Sequence, residues 1–335
     1  MTSVMVAGLG DVGVRTARQL LDTPGVEQVF VAARTRGRAD TVASALHDGA
    51  TPWSLDDDAG RLPPGLTAVV STLPADDDIA LARTAVSAGV AYATCADDSG
   101  AIGALLALDT DARAAGVHVV IGCGLAPGLS DVLARHAAGA LDTVDEIHVA
   151  RWGVAGDRCA ASARHAHRDP GLEWRDDTYL HDRAQGAQLV WFPDPVGPRE
   201  CELVATGVEL LVGAHPGVER VTARLGAPSN RLGRARLVPT RRDRIAEWGS
   251  VRTEVWGQQD GARAALVYGV IERTAVAAGT VLGVVGGWLT NALPQVAEAE
   301  PGAFGLGRAV TATPFLAELA RRGVKAAVFE GASVA

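Results

Sequence analysis

The stretch Ser3 to Gly13, SVMVAGLGDVG, constrains this chain more than any other. An apolar run stops in Gly8-x-Gly10-x-x-Gly13 and passes into a pattern with Val14, Ala17, Leu20 and Leu21 at helical spacing. A strand buried on both faces reads as a continuous apolar run, and a helix lying on a sheet shows apolar residues every three or four positions. Strand, glycine turn and helix in that order make a dinucleotide-binding fingerprint. Gly8 permits the tight turn, Gly10 lets the backbone approach a pyrophosphate, and Gly13 lets helix and strand pack closely. Free amides at the helix start face the anion, so Asp11 and Val12 join the glycines as expected cofactor contacts.

The alternation continues. Gln28 to Ala33, Leu66 to Ser71, Ala91 to Thr94 and Val117 to Ile121 read as strands, with helices over Ala39 to His47, Asp76 to Gly89 and Gly100 to Gly116. Trp53 to Pro64 reads as a polar connection whose Asp56 to Asp58 run is a solvated face. Six alternating units with short connections and few charges in the strands call for a parallel sheet covered by helices. Near Leu141 the pattern changes to longer strands: Val144 to Trp152, Ala187 to Phe192, Val218 to Leu225, and a hairpin of Val251 to Trp256 and Ala262 to Ile271 around Gly257 to Gly261. Glu202 to Val212 reads equally as strand or helix. The expected fold class is therefore α/β: a Rossmann doubly wound parallel sheet followed by an α+β substrate domain with a largely antiparallel sheet.

The tip of the second strand selects the cofactor. An acidic residue there bonds the ribose 2′-hydroxyl of NAD, whereas a 2′-phosphate calls for arginine and a small hydroxyl. The chain has Arg34-Thr35-Arg36, with Gly37 and Arg38 behind and no acid, which favours NADP(H). Carboxyl ends of strands line the ligand crevice of such a sheet. Ser71, Thr72, Leu73 and Pro74 are thus expected under the ribose and nicotinamide, with Cys95, Asp97 and Asp98 at the rim and Cys123 on the opposite wall. Pro127 stands at the first turn of a helix over Gly128 to Ala140, whose amino end faces the nicotinamide or a substrate carboxylate.

The 335 residues suffice for two domains, and 48% hydrophobic against 21% charged residues fits a compact soluble chain. The net charge of -8 argues against general nucleic-acid binding. Lys325 is the only lysine, which removes Schiff-base chemistry and leaves almost no lysine acid/base chemistry. Cys95, Cys123, Cys159 and Cys201 form no C-x-x-C pair, as expected of a reduced cytoplasmic protein without structural zinc. The chain opens on a strand, with no signal peptide expected. Thr274 to Thr290, TAVAAGTVLGVVGGWLT, is short for a membrane span and reads as a tightly packed internal helix.

The glycine fingerprint, the strand tip AARTR, the STLP turn, GVAYATCADD and the G-x-G-x-x-P-G turn of Gly122 to Gly128 together resemble the saccharopine dehydrogenase-like reductases. The likeness fades through the middle and returns in FPDP, RECEL and HPGVERVTARLG between Phe192 and Gly226, and in Phe315 to Gly331. It implies a Rossmann domain over 1–125, a substrate and dimerisation domain over 126–299, and a chain end, 300–335, packed back on the first. It also implies NAD(P)H-dependent reduction or formation of C–N bonds between amines and oxo acids. Family members acting on saccharopine commonly carry an acid just before the Pro-Gly pair, where this chain has Ala126, so the resemblance transfers the cofactor and reaction class but not that substrate.

The densest polar cluster, Arg158 to Arg168, holds Arg164, His165, His167 and Arg168. If helical, it sets Arg164 and Arg168 one turn apart to clamp a carboxylate or phosphate, while His165 or His167 titrates near neutral pH. Its other reading is a solvated face. The expected roles are Asp97 and Asp98 for the substrate cation, with Asp98, His165 and His167 as the catalytic set, and Asp97, Cys123, Arg151 and Arg164 as substrate contacts. No metal is expected, because His-x-His has no third ligand at a supporting spacing. The function expected is an NADPH-dependent oxidoreductase acting on a C=N or C=O carbon of an amino-acid-derived or secondary-metabolite substrate. Alternatives are an NAD-dependent amine or amino acid dehydrogenase running oxidatively and a non-catalytic nucleotide sensor. The expected partners are a small molecule and a second copy of the chain as a homodimer, with no nucleic acid and no membrane.

Overall fold

The first 121 residues supply six strands of one parallel sheet, and the chain returns much later to add a seventh. In this computed structural model, residues 2–46, 49–182, 186–212, 217–226 and 248–329 are described. The strands are β1 (Ser3–Ala7), β2 (Gln28–Ala33), β3 (Ala50–Ser54), β4 (Ala68–Ser71), β5 (Ala91–Thr94) and β6 (His118–Ile121), with α1 (Asp11–Leu21), α2 (Arg36–Leu46), α3 (Ala75–Ser87), α4 (Ser99–Leu106) and α5 (Asp109–Ala115) between them. Then come α6 (Leu129–Ala138), β7 (Thr143–Trp152), α7 (Asp157–Ala166), β8 (Gly171–Arg175), β9 (Thr178–Asp182), β10 (Gln188–Trp191), β11 (Pro198–Leu203), α8 (Val208–Val212) and β12 (Arg220–Gly226). The chain closes with β13 (Trp248–Gln259), β14 (Ala262–Arg273), α9 (Thr274–Leu289), β15 (Gly302–Gly305), α10 (Leu306–Ala309), α11 (Ala312–Arg321) and β16 (Ala326–Phe329).

The first sheet runs β15-β6-β5-β4-β1-β2-β3, all parallel, with β1 between β2 and β4. Strand order reverses at β1, and the glycine turn sits at that switch point, where open α/β sheets hold their ligands. β1 is buried along its whole length. The expected Rossmann architecture and the largely antiparallel second sheet are both present. That second sheet runs β10-β11-β12-β7-β13-β14-β16, with the β8–β9 hairpin attached at β12; only β12 and β7 pair in parallel. Ile147, Val149, Val221 and Val255 face inward and share one core with Val132, Leu133 and Ala137 of α6.

Several elements depart from their sequence reading. β3 falls partly in the expected polar connection: ATPWS has no apolar run and contains Pro52, which an edge strand tolerates. The long helix expected over Gly100 to Gly116 divides into α4 and α5. The β13–β14 turn is only Asp260 and Gly261, both with positive φ, and Gly257 lies within β13 at a register shift against β7. The β8–β9 hairpin was not anticipated, although its Asp176-Asp177 turn, both residues at positive φ, carries a recognisable turn signature. Glu202 to Val212 is strand at its start and helix at its end.

The end of the chain is shared out between the sheets. β15 joins the first sheet, whereas β16 pairs with β14 in the second, so the described part of the chain end is divided between the two sheets. Conversely α9, within the span expected for the second domain, packs along α1: methyl groups on Gly279 and Gly283 would stand 2.7 and 2.6 Å from the Cβ atoms of Arg15 and Gln19. A stripe of small residues at helical spacing lets the helices touch closely, which is why glycines stand on the side of α9 that meets α1. Among the described residues, no helix is long and apolar enough to cross a membrane.

Candidate functional site

The crevice begins at the glycine turn. Gly8 has φ 89° and donates its N–H to Ala32 O at 2.9 Å. A methyl there would stand 2.6 Å from Thr72 Oγ1, and one on Gly13 would overlap Gly8 O, so both positions need glycine. Gly10 differs: nothing lies within 4 Å of where its Cβ would be. It caps α1 in an extended conformation with no side-chain hydrogen bond, which leaves the amides of the first turn to face that open space. Thr72 fastens the turn to β4 through hydrogen bonds from Oγ1 to Gly8 O at 2.9 Å and from its N–H to Ala7 O at 2.8 Å. Asp11 is exposed and Val12 half-buried at the helix start, and a methyl on Gly156 would come within 3.1 Å of Asp11 Oδ2, so the chain leading into α7 overhangs the turn.

At the β2 tip, Arg34 and Thr35 are exposed and Arg36 is engaged with Asp40 at 3.1 Å. Arg38, passed over as a site residue, reaches back along the turn and donates to Leu9 O at 2.8 Å. Its position one turn beyond Arg34 was a usable signal for a second cation at the same strand tip.

The next wall is pinned from beneath. Ser71 is buried, and its Oγ accepts from Leu73 N–H at 3.2 Å, which sets the Leu73-Pro74 turn into α3. From the first turn of α3, Asp78 reaches under the β4 and β5 tips, where it accepts from Tyr92 Oη at 2.6 Å and Thr94 Oγ1 at 2.7 Å. Burial raises the pKa of Asp78, and the hydroxyl donors oppose that rise. The sequence reading placed Asp76 to Gly89 in a helix without singling out this group; of Asp76, Asp77 and Asp78, only Asp78 faces inward.

Asp97 and Arg151, expected separately at the substrate, are joined to each other. Arg151 Nη1 stands 3.2 Å from Asp97 Oδ2 and donates to Ala126 O at 2.8 Å, while Ser162 Oγ donates to Asp97 Oδ1 at 2.8 Å. The Arg151 side chain is 8% exposed and that of Asp97 21%. The cluster ties the end of β5, the Ala126 turn, β7 and α7 across the two sheets, and Arg151 Nε is buried without a partner. Asp98 caps α4, its Oδ1 accepting from Ala101 N–H at 2.8 Å, so that oxygen has a structural task.

Helix α7 turns its polar cluster away from this junction. Ser162 and Ala163 face inward, whereas Arg164 is exposed and the His165 side chain is 62% exposed, 3.5 Å from Asp169. His167 Nδ1 lies 3.0 Å from Glu202 on β11. The helix ends at Ala166, so Arg168 does not share a helical face with Arg164. The buried side of α7 is thus the one with the smaller residues, while Arg164 and His165, expected at the substrate, are exposed and His167 follows the helix end half-buried. Trp152 likewise lies on the far face of β7, under the Arg199 guanidinium.

Cys95 and Cys123 stand at the ends of β5 and β6 as expected. Burial, added to nearby carboxylates, raises both thiol pKa values. They are neutral wall-forming groups at neutral pH, not thiolate nucleophiles. Pro127 precedes the N-cap Gly128 of α6 and lies outside the helix, with its carbonyl accepting from Gly124 N–H at 3.1 Å. Among the described residues, no three or more His, Cys, Asp or Glu side chains gather as a metal-holding group.

No protein-family model matches the chain. Solved structures do resemble it along nearly its whole length. Apo saccharopine dehydrogenase (L-Glu forming) from Saccharomyces cerevisiae superposes with TM-score 0.69 at 13% identity, covering 98% of this chain and 100% of that one. An amine dehydrogenase from Mycobacterium smegmatis gives 0.54 at 14%, covering 92% and 96%, and the C. glutamicum DAP dehydrogenase in complex with DAP gives 0.52 at 14%, covering 97% and 100%. At these identities the likeness establishes a shared fold.

Proposed function

We propose that this protein is an NADPH-dependent oxidoreductase that transfers hydride to a C=N or C=O carbon of a small amino-acid-derived or secondary-metabolite substrate. The observation that carries the reading is the glycine turn: Gly8 and Gly13 leave no room for a side chain, while Gly10 stands open before the uncapped start of α1. A pyrophosphate is the group that such a turn suits. The exposed Arg34, Thr35 and Arg38 at the β2 tip, with no acid beside them, suit a 2′-phosphate. The residues present therefore fit the dinucleotide. Among proteins of this fold, the named saccharopine, amine and DAP dehydrogenases support an amine or amino-acid-like substrate.

When bound, the nicotinamide supplies or accepts a hydride at the substrate carbon. The chain's own contribution is placement. Amides of Asp11 and Val12 and the Gly10 backbone would hold the pyrophosphate, Arg34, Thr35 and Arg38 would hold a 2′-phosphate, and Ser71 to Pro74 would line the ribose side of the site. Cys95 and Cys123 exclude water as neutral walls. Reduction of a protonated imine needs no proton at carbon, whereas a ketone needs one at its oxygen. We further take the protein to act as a cytoplasmic homodimer; its free cysteines fit a reducing compartment, and Leu189 and Trp191 on β10 leave large apolar side chains exposed.

The experiment is titration with NADPH and NADH followed by nicotinamide absorbance against a panel of oxo acids with amines. NADPH binding tighter than NADH binding, with oxidation dependent on both carbonyl and amine, is the expected result. Failure to bind either nucleotide sinks the reading, and tight binding with no turnover on any panel member leaves a nucleotide sensor in its place.

A further inference from the structure

Helix α8 is a wedge between the two sheets. Leu211 covers the ends of β6 and β15: a methyl on Gly122 would stand 2.8 Å from Leu211 Cδ1, and one on Gly305 3.0 Å from Leu211 Cβ. Gly207, just before the helix, presses on Ile102 of α4, and the helix also packs on α6 and β12. At this junction four side-chain oxygens are buried without a hydrogen-bond partner: Glu209 Oε1 and Oε2, Asp131 Oδ2 and Thr206 Oγ1. Glu209 is 0% exposed and Asp131 4%.

Asp131 sits in the first turn of α6 and its other oxygen accepts from Ser130 Oγ at 2.7 Å. The N–H groups of Thr206, Gly207 and Glu209 lie near the Glu209 carboxyl, as in a T-x-x-E capping box, without closing a hydrogen bond of good geometry. Among the described residues, no arginine, lysine or histidine pairs with either acid. The other titratable groups facing them are Tyr179 from β9, whose hydroxyl feels Glu209, and Cys123 at the end of β6, whose thiol feels Asp131. Neither brings positive charge. A carboxylate removed from water with no cation beside it is far costlier than a carboxylic acid.

We propose that Asp131 and Glu209 form a proton-holding latch: while the pair keeps a proton, α8 stays wedged against α6 and the ends of β6 and β15, and when both carboxyls are charged their repulsion lifts α8 and opens that end of the crevice. Burial, the dominant cause for each, pushes Asp131 up to about 7 and Glu209 up to about 8, and the charge of Asp131 adds to the rise at Glu209. These values exceed those of unfolded carboxyls. Stability from the pair is therefore complete below about pH 4 and is lost as pH rises through the folded values near 7 and 8. The latch is independent of the cofactor reading.

The test uses the full chain without nucleotide. Hydrogen exchange of the α8 amides, corrected for intrinsic rates, is followed from about pH 6 to pH 9 in wild type, Glu209→Gln and Asp131→Asn, alongside the infrared band of protonated carboxyl groups; about tenfold per pH unit is expected for each proton released. In wild type, α8 protection should fall at least about tenfold across the range while the band disappears, and each neutral variant, which keeps one titrating carboxyl in place of two, should lose clearly less on the logarithmic scale. Flat wild-type protection, or a variant that loses protection as steeply, overturns the latch. The infrared measurement on wild type decides alone if a variant does not fold: no protonated carboxyl at about pH 6 overturns it. Methylammonium chloride at matched ionic strength completes the test. If it protects α8 in wild type but not in Glu209→Gln, the orphan oxygens hold an organic cation and the latch is wrong.

Discussion

Replacing Arg151 with methionine tests the junction that holds the two sheets together. The change keeps most of the apolar stem and removes the guanidinium that meets Asp97 and Ala126 O. Breaking a buried pair by deleting one partner costs about 3–5 kcal/mol, because the remaining charge is left without compensation. Here Asp97 keeps the Ser162 hydroxyl and some solvent, which favours the lower end, while the lost bond to Ala126 O adds about 1.5–3 kcal/mol for a charged donor. A total of about 4.5–6 kcal/mol is expected. The Asp97→Asn change leaves Arg151 buried with Ala126 O alone and should cost about 3 kcal/mol. Because each single variant strands the other charge, the double variant should cost less than the sum by roughly 2 kcal/mol. Urea unfolding followed by tryptophan fluorescence measures all four proteins. Singles that each cost under about 1 kcal/mol, or strict additivity, would refute the claim that this pair is desolvated and coupled.

Other expectations follow from the same geometry. Gly10→Val should unfold at nearly the wild-type urea midpoint yet lose NADPH binding in a fluorescence titration, because the space it fills is open in the protein. Gly13→Ala should instead lower stability itself, by about 3 kcal/mol or more, since the added methyl overlaps Gly8 O. Arg34→Asp should shift the NADPH:NADH affinity ratio at least about tenfold toward NADH, each charged contact to a phosphate being worth about 1.5–3 kcal/mol. Tyr92→Phe removes the 2.6 Å bond to buried Asp78 and should cost about 1.5–3 kcal/mol at neutral pH. The loss should shrink as pH falls and Asp78 takes up a proton, since its raised pKa means that burial favours the neutral form; equal losses at both pH values would contradict that environment.

What could be read before folding was local. The apolar run before Gly8, the glycine spacing and the periodicity of α1, α3 and α9 each depend on neighbours within a few turns of chain, and those neighbours determine strand, turn and helix directly. The basic tip at Arg34 to Arg38 was legible for the same reason. β3 was not, because an edge strand need not be apolar, and the β8–β9 hairpin was hidden in a polar stretch whose only signal was Asp176-Asp177.

The glycine turn and the parallel α/β half were thus determined by the sequence alone. Tertiary structure decided which charged groups are free to act. Asp97 and Arg151 look like two separate substrate contacts until β7 and the β5 end are brought together across 54 residues, whereupon they pair with each other. Packing set Ser162 and Ala163 of α7 inward and left His165 on its exposed side, and it buried Asp131 and Glu209 where α6 meets α8. The physical reason is the same in each case. A side chain's charge state and availability depend on desolvation and on partners distant in sequence, and both are set only when the two sheets pack.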